Sequence, residues 1–176
     1  MQRIVQTITI LLLLLQFGLA EGPSFLQYFY TVKNILPETK NIGVFISEES
    51  YKTQEQQIKR ASAQTGIKAL VFIIKNARSI GKSIKQLNTN DALVIYDSPV
   101  LEKKSSRLFI LSKTKDKKIP IITASKEYSD SGALICLGKD ENNRTQIILN
   151  LKQTEYLASK FTDESLQKLR ISKIIR

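Results

Sequence analysis

The sequence predicts an α/β fold, a three-layer α/β/α open sheet of five mainly parallel strands in the order 2-1-3-4-5, with an antiparallel strand added at the C-terminal edge. Three observations carry this. Short apolar runs recur at Asn41–Ile46, Ile67–Ile74, Ala92–Tyr96, Ile119–Ala124 and Ala133–Leu137, the signature of strands buried on both faces. Segments with helical apolar spacing separate most of them, which implies right-handed βαβ units. After Gly138 the alternation stops, and Ala133–Leu137 and Thr145–Leu149 flank a polar turn as hairpin strands would.

The chain is 176 residues long, enough for one domain with a substantial core. Its start stands apart. Arg3 precedes an apolar run, Ile8 to Leu15, that holds five consecutive leucines, and Gly18-Leu19-Ala20 places small residues where a leader would be cut. The pattern predicts a secretory signal peptide over 1–20 and a single domain over 21–176. An uncleaved segment tethering the protein to a membrane is the alternative. Export places the protein in a periplasm.

Ser24–Leu36 reads as a helix, with Phe25, Phe29, Val32 and Leu36 at helical spacing and Pro37 as its stop. Tyr28, Phe29 and Tyr30 form either a ligand box or a packing stripe. After the first strand, Ser50 is positioned to cap a helix over Tyr51–Thr65 that Gly66 ends. After the second strand, Asn76 leads a helix through Leu87. After the third, Asp97-Ser98-Pro99 leads a helix through about Thr114 with Leu101, Leu108 and Leu111 inward. Lys115–Lys118 is a basic turn. A short helix over Lys152–Ser159 and an amphipathic helix over Asp163–Ile175 close the chain.

Composition excludes several chemistries. There is no His, the commonest general base and metal ligand. No metal cluster, nucleophile triad or phosphate loop is visible, so no catalytic residue, metal or cofactor is expected. Cys136 is the only cysteine, so no disulfide forms within the chain, and its apolar surroundings predict a buried thiol. The net charge is +11. The basic residues are dispersed and lack interleaved aromatics, which argues against nucleic acid and for a solvated surface facing anionic lipid or an acidic partner.

In an open sheet, ligands bind outside the C-terminal ends of the strands. The polar residues expected there are Ser47, Glu48, Ser50, Asn76, Asp97, Ser98, Ser125 and Glu127. Hydroxyls and amides at helix N-termini suit a carboxylate or another anion. The same positions also suit plain helix caps for Ser50, Asn76, Asp97 and Ser125. Glu127 and Asp130 are either an acid pair or part of a solvated loop. Asn143-Arg144-Thr145 matches a glycosylation sequon, placed in the hairpin loop.

Three motifs in order carry a family resemblance. They are Ile35-Leu-Pro-Glu-Thr-Lys-Asn-Ile-Gly-Val-Phe-Ile46; Ile119-Pro120-Ile121 with Ser125, Gly132-Ala133-Leu134 and Leu137-Gly138; and Ile147-Ile148-Leu149-Asn150-Leu151-Lys152. They resemble the substrate-binding proteins of ABC transporters, of the type associated with aromatic amino acids, over roughly residues 25–176. The stretch Asn90 to Pro99 resembles another motif of that family with its proline and acidic positions rearranged. The resemblance implies one flavodoxin-like lobe of a periplasmic binding protein and a small-molecule ligand, an amino acid or small anion, delivered to a membrane permease. Family members have two lobes, and here Lys139–Arg144 stands where the chain crosses to the second. The resemblance therefore implies a truncated, single-lobe version whose open cleft edge a homodimer would complete. A second exported family, single-domain periplasmic regulators of membrane signalling enzymes, shares the compact plan. It implies a sensory module acting on a membrane receptor or sensor protein.

Overall fold

Ser24 opens the first helix with a complete capping box. Its Oγ accepts from Gln27 N at 3.3 Å, and Gln27 Oε1 accepts from Ser24 N at 2.8 Å. In the computed structural model the described residues are 22–142, 144–152, 154–158, 161, 166 and 171–176. The leader-like segment, Asn143 of the sequon and most of 163–170 lie outside them.

The elements run α1 (Phe25–Ile35), β1 (Asn41–Ile46), α2 (Glu48–Thr65), β2 (Lys68–Ile73), α3 (Ala77–Lys85), β3 (Asp91–Ile95), α4 (Pro99–Glu102), α5 (Lys104–Asp116), β4 (Ile121–Thr123), α6 (Lys126–Ser131), β5 (Ile135–Lys139), β6 (Thr145–Asn150), α7 (Glu155–Ala158) and β7 (Lys173–Ile175). The sheet order is β2-β1-β3-β4-β5-β6-β7. The first five strands are parallel, with Val44 of β1 beside Val71 and Val94, and β6 is antiparallel to β5. This is the expected five-strand order with its antiparallel addition.

Strand alternation divides the core into two. Ile42, Val44, Ile46, Ala92 and Val94 pack with Phe25, Phe29 and Val32 of α1 and Ile58 and Ala61 of α2. Phe45, Leu93 and Ile95 pack on the other face with Ile80 and Ile84 of α3, Leu101 of α4, Ile110 of α5 and Tyr128 of α6. Gly43 belongs to the second face, where a Cβ would lie 2.8 Å from Leu87 Cδ2. A side chain at position 43 would force Leu87 to shift. Gly66 ends α2 at φ 74°, a left-handed conformation suited to glycine.

Several local expectations are corrected. Ser47, not Ser50, caps α2. It is extended, its Oγ accepts from Ser50 N at 3.1 Å, and Glu48 and Glu49 occupy the first turn, where the helix dipole favours acids. The helix expected through Thr114 is broken at Lys103, whose backbone is extended between α4 and α5. The break resets the helical phase, so Ile110 faces inward and Leu108 is 53% exposed. Tyr28 and Phe29 pack in the core while Tyr30 is exposed, so the three do not form one box. Strand β2 is half-buried because it lies at the sheet edge. Lys173–Ile175, expected to end a helix, pairs with β6 as a parallel strand.

The hairpin between β5 and β6 turns on Asp140. Its Oδ1 accepts from Asn142 N at 2.9 Å and from Arg144 N at 2.8 Å. Register continues through Lys139 opposite Thr145.

Candidate functional site

The crossover direction changes between β1 and β3. Helix α2, which follows β1, covers one face, while α4 and α5, which follow β3, cover the other. That arrangement opens a crevice beyond the C-terminal ends of β1, β3 and β4, as the topology of open parallel sheets requires. A cleft of about 810 Å³ lies there. Its walls are Ser50, Thr53 and Gln54 of α2, the loop Tyr96-Asp97-Ser98 after β3, Leu101 and Glu102 of α4, Arg107 of α5, and Thr123 to Ser125 with Glu127 and Tyr128 after β4. Tyr28 of α1 and the segment Gly22–Pro23 close one side.

Hydrogen bonds tie the loops at the switch point. Ser47 N donates to the Asp97 carbonyl at 3.2 Å. Ser47 Oγ donates to Ser50 Oγ at 2.8 Å, and Ser50 Oγ donates to Asp97 Oδ2 at 3.5 Å. On the β4 side, Ser125 Oγ donates to Glu127 Oε2 at 2.8 Å, and Thr123 Oγ1 accepts from Ser125 N at 3.0 Å. The Tyr128 hydroxyl donates to the Leu101 carbonyl at 2.8 Å.

The structure gathers Ser50, Asp97, Ser98, Ser125 and Glu127 around this cleft. It leaves Ser47, Glu48 and Asn76 off the lining. Ser47 is a cap, Glu48 pairs with Lys75 at 2.8 Å, and Asn76 closes a capping box with Ser79 on α3. Ser125 does both jobs, capping α6 through Tyr128 N while lining the cleft. Ser98 sits at the N-cap position of α4 and makes no capping bond. Glu127 and Asp130 do not pair with each other: Glu127 takes Ser125, and Asp130 takes Lys126.

A family model described as ABC transporter substrate binding protein matches residues 26–146. The chain belongs to that family. Solved structures share its fold. A conserved domain protein from Vibrio cholerae is 16% identical with a TM-score of 0.70, the match covering 87% of this chain and 60% of that one. An ABC domain from Streptococcus pneumoniae, solved in complex with L-Trp, is 15% identical with a TM-score of 0.69, covering 88% and 62%. A substrate binding protein with adhesive properties from Clostridium difficile, in a ligand-free, open form, is 20% identical with a TM-score of 0.65, covering 84% and 58%. The chain thus spans about 60% of the length of these proteins. No curated protein matches it.

The cleft residues that sequence reasoning misses include Arg107, Tyr128, Tyr96 and Thr123. Arg107 is hidden in the basic run Lys103 to Arg107, where nothing marks one cation as inward. The break at Lys103 sets its direction. Its guanidinium carbon lies 5.9 Å from the centroid of the Tyr128 ring, and its Nη1 donates to the Glu102 carbonyl at 3.4 Å.

Electrostatics in the cleft are mixed in sign. The Glu127 carboxyl is held below its ordinary range by its own backbone N–H first, then by Ser125, with the charges of Arg107 and Lys126 adding to them. Burial pushes the Tyr128 hydroxyl up, against the opposing charge of Arg107, so it stays protonated and able to donate. Among the described residues there is no group of three or more Cys, Asp or Glu placed to hold a metal ion.

Proposed function

We propose that this chain binds a small ligand, an amino acid or a small anion, in the cleft at the C-terminal edge of its sheet, in connection with ABC-type transport or uptake. The observation that carries the reading is the cleft itself, at the topological switch point, lined by Arg107, by the acids Asp97 and Glu127 and by a few hydroxyls. Such a lining has partners for both ends of a zwitterion. The substrate-binding family and the L-Trp held by the Streptococcus pneumoniae protein support it. A permease is the partner that this role requires. Export to a periplasm rests on the leader pattern of residues 1–20; among the described residues no helix is long and apolar enough to cross a membrane.

A second reading, a sensory or regulatory module acting on a membrane protein, is favoured by the tight turn at Asp140. The chain returns there into β6, and among the described residues nothing after it walls the cleft. A homodimer would supply that wall in either reading.

Isothermal calorimetry of the full chain against the common amino acids and small anions tests the first reading, which expects saturable binding of at least one. A silent panel, with a membrane protein co-purifying, overturns it in favour of the second. Light scattering with and without the bound compound checks for the dimer.

A further inference from the structure

Two buried side-chain atoms among the described residues have no hydrogen-bond partner, Ser98 Oγ and Arg107 Nε. Both belong to residues that line the same cleft. Buried polar groups in folded proteins are paired almost without exception, and an orphan costs its full desolvation. Two uncommitted donors therefore belong to residues of one cleft. Ser98 is 1% exposed, so bulk water does not satisfy it.

The two residues are fixed relative to each other. Ser98 starts the four-residue helix α4, and Arg107 Nη1 is anchored to the carbonyl of Glu102 at its end. The two ends of a helix of that length lie about 6 Å apart. With Nη1 engaged, the guanidinium presents its Nε–Nη2 edge, the side-on pair that a planar carboxylate takes in bidentate fashion. The Tyr128 ring holds the guanidinium plane from one side. Among the described residues no carboxylate lies within ion-pair distance of Arg107. The nearby acids are occupied, Glu127 by Ser125 and Asp97 by Ser50.

We infer that Arg107 and Ser98 form an anion subsite, in which the guanidinium edge and the Ser98 hydroxyl both donate to the oxygens of an acidic group on the ligand. This rests on the small-ligand reading and deepens it: the acid group anchors in the pocket beside Tyr128, and the rest of the ligand extends toward Asp97. The chemistry suits a carboxylate, and a phosphoryl group presents the same anionic oxygens.

The test uses the full chain, labelled with nitrogen-15, and follows the Arg107 Nε–H and the backbone amides of Ser98 and Tyr128 by NMR. Acetate, its neutral analogue acetamide, and inorganic phosphate are titrated separately. Acetate is expected to shift these signals saturably, with a Kd on the order of millimolar for so small a probe, and acetamide is not. Tighter binding of acetate than of phosphate identifies a carboxylate ligand; the reverse identifies a phosphoryl group. Arg107→Lys keeps the charge but loses the paired edge, and should weaken the preferred anion by about tenfold. Ser98→Ala should weaken it too while leaving the melting temperature unchanged or higher, because it removes an orphan; a merely structural hydroxyl would lower it. Acetate behaving like acetamide, or both variants binding as the parent does, overturns the subsite. If some amino acid binds in calorimetry and both variants bind it equally well, the small-ligand reading stands and the subsite falls. If acetate titrates Arg107 while the amino acid panel stays silent, the subsite stands without that reading.

Discussion

The hydroxyl of Tyr128 donates to the carbonyl of Leu101 at 2.8 Å, joining α6 to α4 across the floor of the cleft. Both residues are buried, and the same Tyr128 ring supports the Arg107 guanidinium. One side chain therefore sets the spacing of two walls and the orientation of the cation between them.

Replacing Tyr128 with Phe keeps the ring and deletes the bond. The Leu101 carbonyl loses its side-chain donor in a buried setting, which should cost about 1–2 kcal/mol. Urea denaturation checks this, with the midpoint falling and the slope unchanged. A variant as stable as the parent would show that the tie contributes nothing.

Gly43→Ala should destabilise by about 1–3 kcal/mol. Its Cβ would lie 2.8 Å from Leu87 Cδ2 and 3.4 Å from Leu93 Cδ1, so the fully buried Leu87 side chain would have to shift. The double variant Gly43→Ala, Leu87→Ala should be less destabilised than the sum of the two single changes, because Leu87→Ala makes the space that the new Cβ needs and that Cβ fills part of the cavity left behind. Thermal melts of the four proteins complete the cycle; strict additivity would contradict the steric account.

Lys117 Nζ donates to three carbonyls at the end of α3, those of Ile84 at 3.0 Å, Lys85 at 3.3 Å and Leu87 at 2.6 Å. A cation there satisfies carbonyls that the helix leaves open and opposes the negative end of its dipole. Lys117→Met, which keeps the aliphatic stem, should cost about 1–2 kcal/mol. The same substitution at Lys118 is the control, since that residue is exposed and donates no side-chain bond among the described residues. Equal loss in both variants would remove Lys117 from this role.

Stability should fall at both extremes of pH. The carboxyls of Glu48, Glu55 and Glu127 titrate below their ordinary 4.5, held down chiefly by Lys75, by Lys59 and by the Glu127 backbone N–H, respectively. A folded value below the unfolded one gives stability that is present above the carboxylate range and lost as pH drops through it. Lys59 and Lys126 titrate above their ordinary 10.5, raised chiefly by Glu55 and Asp130. Their contribution is complete below that value and disappears as pH climbs past it. Melting temperature should be flat between about pH 5 and pH 10, drop on either side, and drop less in 1 M salt, since all these groups are exposed. A melting temperature that rises on acidification would reverse the assigned signs.

Residue order alone determined the first six strands of the sheet. Apolar runs such as Ala92–Tyr96 and Ile119–Ala124 are buried on both faces, so their strand character and parallel order are written as composition and spacing, and the motifs from Ile119 to Gly138 point to the substrate-binding family. The cap signals at Asn76 and Gly66 are local and equally legible. What only the tertiary structure decided is which polar side chains meet. The shift of the α2 cap from Ser50 to Ser47 freed Ser50 to reach Asp97, and the break at Lys103 turned Arg107 toward the cleft and Leu108 away from the core. Both depend on backbone angles at single residues, which packing between elements fixes. The orphaned atoms of Ser98 and Arg107 sit on one connection, the one after β3, and the break at Lys103 between α4 and α5 decides that both line the cleft, whose other walls the order of β1, β3 and β4 supplies.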